Sequence, residues 1–161
     1  VLLLLKFLQT AHYQMIDDSY DYFSFNNRTQ FIFKSIGVQG IVVKIIVFNR
    51  IDSNNRWNLG FGDLKGDKID DTAFTDNHDV RKVISTIAQI IYAFSEAHPS
   101  RKIVISPVDE RRNQFYNAVF QRHYADIILT FQIVGVTQNG QETYSPEKIY
   151  ESFELIRKFE A

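Results

Sequence analysis

Cysteine is absent from the 161 residues, which removes disulfides, thiolate catalysis and Cys-ligated zinc. Glycine and proline are scarce, at 7 and 3, so the chain is neither low-complexity nor linker-like. No repeat is present. Charge of one sign is also lacking: the net charge of −1 gives no basic surface of the kind that captures nucleic acid, and none is expected as a partner. The longest leucine-rich run, Val1–Leu8 (VLLLLKFL), is broken by Lys6. It is far short of the roughly 20 apolar residues of a membrane span, so no membrane association is expected. Thr10-Ala11-His12 is a poor export cleavage site. A cysteine-free chain without an export signal fits a reducing cytoplasm, and a cytoplasmic, soluble protein is the expectation.

Core material is plentiful. Hydrophobic residues make up 45% of the chain, with 14 Phe and 8 Tyr, enough to close one domain of this length. Residues 1–14 read as an N-terminal extension ahead of a natural start at Met15, and residues 15–161 as a single α+β domain.

Aromatic and β-branched alternation predicts strands over residues 20–25, 29–36, 41–48, 57–61 and 69–75, with turns at Asn26-Asn27, Gly37–Gly40 and Lys65-Gly66-Asp67. The connections are too short for crossovers, so these strands form an antiparallel meander. The 41–48 run (IVVKIIVF) is too apolar for an edge and reads as central. The period then changes. Val80, Val83, Ile84, Ile87, Ile91 and Phe94 fall on one helical stripe that starts behind Asp76, Asn77 and Asp79 and stops at His98-Pro99. A short strand follows at Ile103–Ile105. Ser106-Pro107-Val108-Asp109 reads as a capping box opening a second helix, with Phe115, Tyr116, Val119 and Phe120 inward. Residues 127–136 read as a long strand turning at Asn139-Gly140 into Glu142–Tyr144. Ser145-Pro146 should cap a last helix with Ile149, Phe153 and Ile156 inward. The expected fold is a mixed, mainly antiparallel sheet with helices packed on its faces, in the order β-meander, helix, strand, helix, β-hairpin, helix.

Two resemblances follow from these residues. Asn58-Leu59-Gly60-Phe61-Gly62-Asp63, then Gly66, Ile69-Asp70-Asp71, Asn77, Asp79 and Lys82-Val83-Ile84, with Phe115-Tyr116 and the Ile149-Tyr150 to Arg157 end, resemble an uncharacterised family of small bacterial proteins of unknown function, over about residues 20–158. Where members carry a Gly-Ser-Thr turn before the second helix, this chain has Pro107-Val108-Asp109. The element order is similar to the second half of the acetyl-CoA-dependent N-acetyltransferase superfamily. That resemblance implies CoA or acetyl-CoA as ligand and makes Tyr116 the match for a general acid. The superfamily's glycine-rich pyrophosphate cradle has no counterpart, because no glycine occurs from Asp67 to Val134 and the matching turn carries Asp76 and Asp79.

The candidate site residues are therefore Tyr116 as a catalytic acid, and Asn77, Asp79, Arg81, Arg112 and Tyr116 as ligand-binding groups. Arg81 and Arg112 are suited to a carboxylate or phosphate, and Arg112 and Tyr116 are four apart on one helix face. Each has a structural reading beside it: caps for Asn77 and Asp79, an intrahelix pair for Arg81, core for Tyr116. The acidic run Asp63, Asp67, Asp70, Asp71, Asp76 and Asp79 lacks the alternate-ligand spacing of a calcium loop, and no metal is expected. The histidines, His12, His78, His98 and His123, have no ligand spacing. Arg101-Lys102, Arg111-Arg112 and Arg122 form a sparse basic set. The leading expectation is a non-catalytic interaction or accessory protein with an unknown protein partner. The alternatives are a CoA-dependent acyltransferase with a degenerate loop and a small-anion binder. A terminal-hairpin edge strand offers a route to pairing two chains.

Overall fold

The computed structural model describes residues 18–70 and 76–159. The Val1–Leu8 run, the Met15 start, His12, Asp71 and the 71–75 part of the expected fifth strand lie outside the described residues. The described residues form a mixed, mainly antiparallel sheet of nine strands with two helices. In chain order these are β1 (Tyr22–Phe25), β2 (Gln30–Gly37), β3 (Gly40–Arg50), β4 (Arg56–Lys65), β5 (Lys68–Asp70), α1 (Val80–Ala97), β6 (Lys102–Ile105), α2 (Glu110–Ile127), β7 (Phe131–Thr137), β8 (Gly140–Thr143) and β9 (Ser152–Arg157). Two compact units share β3 and β4. One comprises the described residues up to Ile46 together with Phe61–Phe94, the other Val47–Gly60 with the residues from Ser95 onward.

The first unit runs β1-β2-β3-β4, with β5 antiparallel on β4. β1 and β2 are antiparallel, with Tyr22 opposite Phe33, Phe23 opposite Ile32 and Phe25 opposite Gln30. Alternation sends Phe31, Phe33 and Ser35 into the core and Ile32, Lys34 and Ile36 to the other face. β3 is a central strand, as its sequence predicts. Lys44, the one charge in its apolar run, is buried against Asp63 of β4. That ion pair offsets the cost of desolvating both groups. α1 buries Val83, Ile87, Ile90 and Phe94. Ile90 thus takes the centre of the stripe, while Val80 stays outside, 41% exposed.

The second unit carries the order β4-β6-β9-β7-β8. β4 and β6 are parallel, linked through the α1 crossover, and the remaining pairs here are antiparallel. α2 lays Tyr116, Asn117 and Phe120 inward, and Phe120 stacks on Phe153 at 4.3 Å between ring centroids.

Four expectations need correction here. The last helix is a strand. Ser152–Arg157 inserts between β6 and β7, where Phe153 and Leu155 are fully buried and Ile149 is 70% exposed. The slot between two strands, each with backbone groups to satisfy, outweighs the helix-like spacing of Ile149, Phe153 and Ile156. The second helix is capped by Asp109, whose carboxylate accepts the Arg112 N–H at 2.8 Å. Ser106 and Pro107 precede that cap. The buried face of this helix is Arg112, Tyr116, Asn117 and Phe120, with Phe115 and Val119 half-buried. Finally, Ile127 ends α2 and does not open a strand; β7 begins at Phe131.

Candidate functional site

In the first unit the turn before α1 is fastened to the β2–β3 hairpin by side chains. Asn77 is 1% exposed. Its amide donates to Ser35 Oγ at 3.1 Å and to the Gly40 carbonyl at 3.0 Å, and its Oδ1 accepts the Gln39 N–H at 2.6 Å. Its own carbonyl accepts the Val38 N–H. Gly37 makes this approach possible, since a Cβ there would lie 1.9 Å from the Asn77 carbonyl oxygen. Asp79 accepts from Ser35 Oγ at 2.5 Å and from the Tyr20 hydroxyl at 2.8 Å, and the same hydroxyl accepts the Ile36 N–H at 3.0 Å. Burial is the main cause holding the Tyr20 phenol above its usual range. Asn77 and Asp79 are thus brought together, sharing Ser35, with each of these bonds turned into the fold.

The same turn borders an open groove of about 610 Å³ lined by Asp18, Tyr20, Asp76, His78, Arg81 and Lys82, among others. Arg81 is exposed there. Lys82 lies over the Tyr20 ring, 4.5 Å from its centroid, a cation–π contact. Asp76 accepts the His78 N–H at 2.9 Å. That bond supports the left-handed backbone of His78, whose φ is 58°, as aspartate does in tight turns. Charge in the groove is mixed, and its helix mouth carries two carboxylates where a phosphate cradle would present backbone N–H groups.

In the second unit Arg112 and Tyr116 share the buried face of α2, 4% and 5% exposed. Arg112 pairs with the Asp109 cap at 2.5 Å, so the guanidinium reaches back along its own helix. Burial pushes the Tyr116 phenol far up, the Arg112 charge drawing it only slightly back, and its ring packs edge-on against Phe115. Arg112 and Tyr116 therefore lie on one helix face, but that face is buried in the core. Arg101, from the basic set, stacks on Trp57 at 3.9 Å.

The acidic run is dispersed among separate partners: Asp63 with Lys44, Asp70 with Lys65, Asp76 with the His78 backbone and Asp79 with Tyr20 and Ser35. Among the described residues no group of three or more His, Asp and Glu is arranged to hold a metal.

Sequence reasoning missed Asn117, which is 3% exposed. Its amide donates to the Tyr150 carbonyl and accepts the Tyr150 N–H, both at 2.9 Å, imitating a strand partner. The Tyr150 ring then crosses β7 at Gly135, where a Cβ would lie 2.3 Å from it. The Tyr150 hydroxyl donates to Glu142 at 2.8 Å, and Lys148 pairs with the same carboxylate at 2.9 Å. An asparagine on a helix carries no signal for this role.

The chain belongs to a family of unknown function, DUF6934, whose match spans residues 17–158. Comparison with curated proteins and with solved structures finds no match. Among the described residues no helix is long and apolar enough to cross a membrane.

Proposed function

We propose that this protein acts by binding another polypeptide through the outer side of its β1–β2 meander, and not by catalysis at the candidate residues. The observation that carries the reading is the apolar surface there: Phe23 is 72% and Phe25 40% exposed, with half-buried Ile32 opposite Phe23. A cluster of exposed large apolar side chains of this kind marks an interaction surface. The internal bonds and burial of Asn77, Asp79, Arg112 and Tyr116 support the same reading, since each is used to hold the fold. The element order through the β7–β8 hairpin supports an acetyltransferase-like scaffold, a likeness of architecture that carries no activity with it.

Thermal unfolding with CoA and acetyl-CoA tests the proposal against the acyltransferase reading. A ligand at about 100 times its dissociation constant adds roughly 2.7 kcal/mol, which moves the midpoint by on the order of 5 °C in a domain of this size. No shift at millimolar ligand is expected. A shift of that size would replace the proposal with CoA chemistry, and Tyr116→Phe would then be assayed. The small-anion reading is tested by Arg112→Ala, which should leave phosphate binding unchanged.

A further inference from the structure

Among the described residues the main strand order ends in β1 on one side and β8 on the other, with the three-residue β5 lying off it against β4. Outer strands are ordinarily guarded by charge, brevity or proline. β8 follows that rule. Its residues are Gly140, Gln141, Glu142 and Thr143, and Lys148 pairs with Glu142 beside it. β1 does not. Its residues are Tyr22, Phe23, Ser24 and Phe25, and it carries no charge, no proline and no glycine. Among the described residues it pairs with β2 alone, and Phe23 and Phe25 on its outer side are 72% and 40% exposed.

We infer that β1 pairs antiparallel with β1 of a second copy of this chain, about a two-fold axis at Ser24. This deepens the interaction reading above and rests on it. Side-chain alternation restricts the register. Odd-numbered residues must face odd-numbered ones, or Phe23 and Phe25 would be set against the core side of the other copy. With Ser24 on the axis, Phe23 of each copy lies opposite Phe25 of the other, giving two aromatic cross-strand pairs beside Ile32. Charge selects the same arrangement. Asp21 precedes β1 and Arg28 lies in the turn after it, both exposed. Antiparallel pairing brings Asp21 of each copy alongside the Asn27-Arg28 turn of the other, whereas parallel pairing would set like charges together. That turn is built on left-handed backbone at three successive residues, with φ of 50° at Asn26, 53° at Asn27 and 56° at Arg28. The conformation is uncommon for an arginine. A two-fold contact closes on itself and makes a dimer, not a fibre.

The test replaces Phe23, and in a control Gln141 of β8, with the photo-reactive p-benzoylphenylalanine in the full chain, irradiated in the producing cells and after purification. The expected result is an adduct of twice the 18.8 kDa chain mass from position 23 and none from position 141. Asp21→Arg should raise the dimer dissociation constant about tenfold, because the symmetric seam carries the change twice. Adding Arg28→Asp to it should bring the constant back to within about threefold of the original. An adduct of some other mass at position 23 would overturn self-pairing and leave the interaction reading standing. No adduct at position 23 in cells or in purified protein would overturn both. A double variant no better than Asp21→Arg alone would overturn the register.

Discussion

Among the described residues, the strands that end the main sheet order, β1 and β8, are handled in opposite ways. β8 is short, polar and anchored from behind, with Glu142 held by Tyr150 and Lys148, and Tyr150 held in turn by Asn117 and seated at Gly135. Among the described residues no such anchor is given to β1, which presents Phe23 and Phe25. The guarded strand consumes hydrogen bonds and charge to stay single. The aromatic one leaves apolar surface for another chain to cover. The proposed interaction is placed at the strand that departs from the usual rule. Asn77, Asp79 and Arg112, which look chemical in the sequence, are bonded within the fold.

Gly135→Ala disturbs this contrast most severely. The added methyl overlaps the Tyr150 ring, which is packed against Tyr144 and Phe153 and has nowhere to turn. Overpacking of this kind costs on the order of 3 kcal/mol, read as a lower urea midpoint with β8 resonances most displaced. Asn117→Ala comes next, at roughly 2 kcal/mol, because it strands the Tyr150 N–H away from water, while the Tyr150 carbonyl keeps the Asn113 amide at 3.1 Å. The β1 side answers differently. Phe23→Lys should change stability by less than about 0.5 kcal/mol, as exposed positions do, while abolishing association. A large loss of stability in that variant would show the residue to be core.

The smallest effect is on pH. Lys148 and, next, the Tyr150 hydroxyl hold the Glu142 carboxyl below its usual range. A depressed folded pKa means the contribution is present above the unfolded value and is lost as pH falls through the folded one. The β8 strand should therefore loosen below about pH 4, seen as faster amide exchange over 140–143, and Glu142→Gln should remove that dependence.

Much of the fold is legible in the sequence where the signal is local. The β3 run, the α1 stripe and the Asn139-Gly140 turn all specify their elements through nearest neighbours. What fails is decided at long range. Phe153 and Ile156 fit a helix spacing, yet the place for that segment is fixed by β6 and β7, which lie far away in sequence. Strand order is equally non-local, so the sequence points to the terminal hairpin as the pairing edge while the structure puts the apolar edge at β1. At the candidate site a core role for Tyr116 is readable from residue type, whereas Asn77 and Asp79, which read as caps, turn their side chains to the β2–β3 hairpin and Tyr20. The burial of Arg112 is not readable, because an arginine near a helix cap normally reaches water.

The decisive measurement is sedimentation of the full chain across the micromolar range. The expected result is a mass approaching twice 18.8 kDa that falls to a single chain in Phe23→Lys, with the thermal midpoint of the dilute protein unchanged between the two. A single-chain mass at every concentration in the unsubstituted protein would contradict pairing through β1.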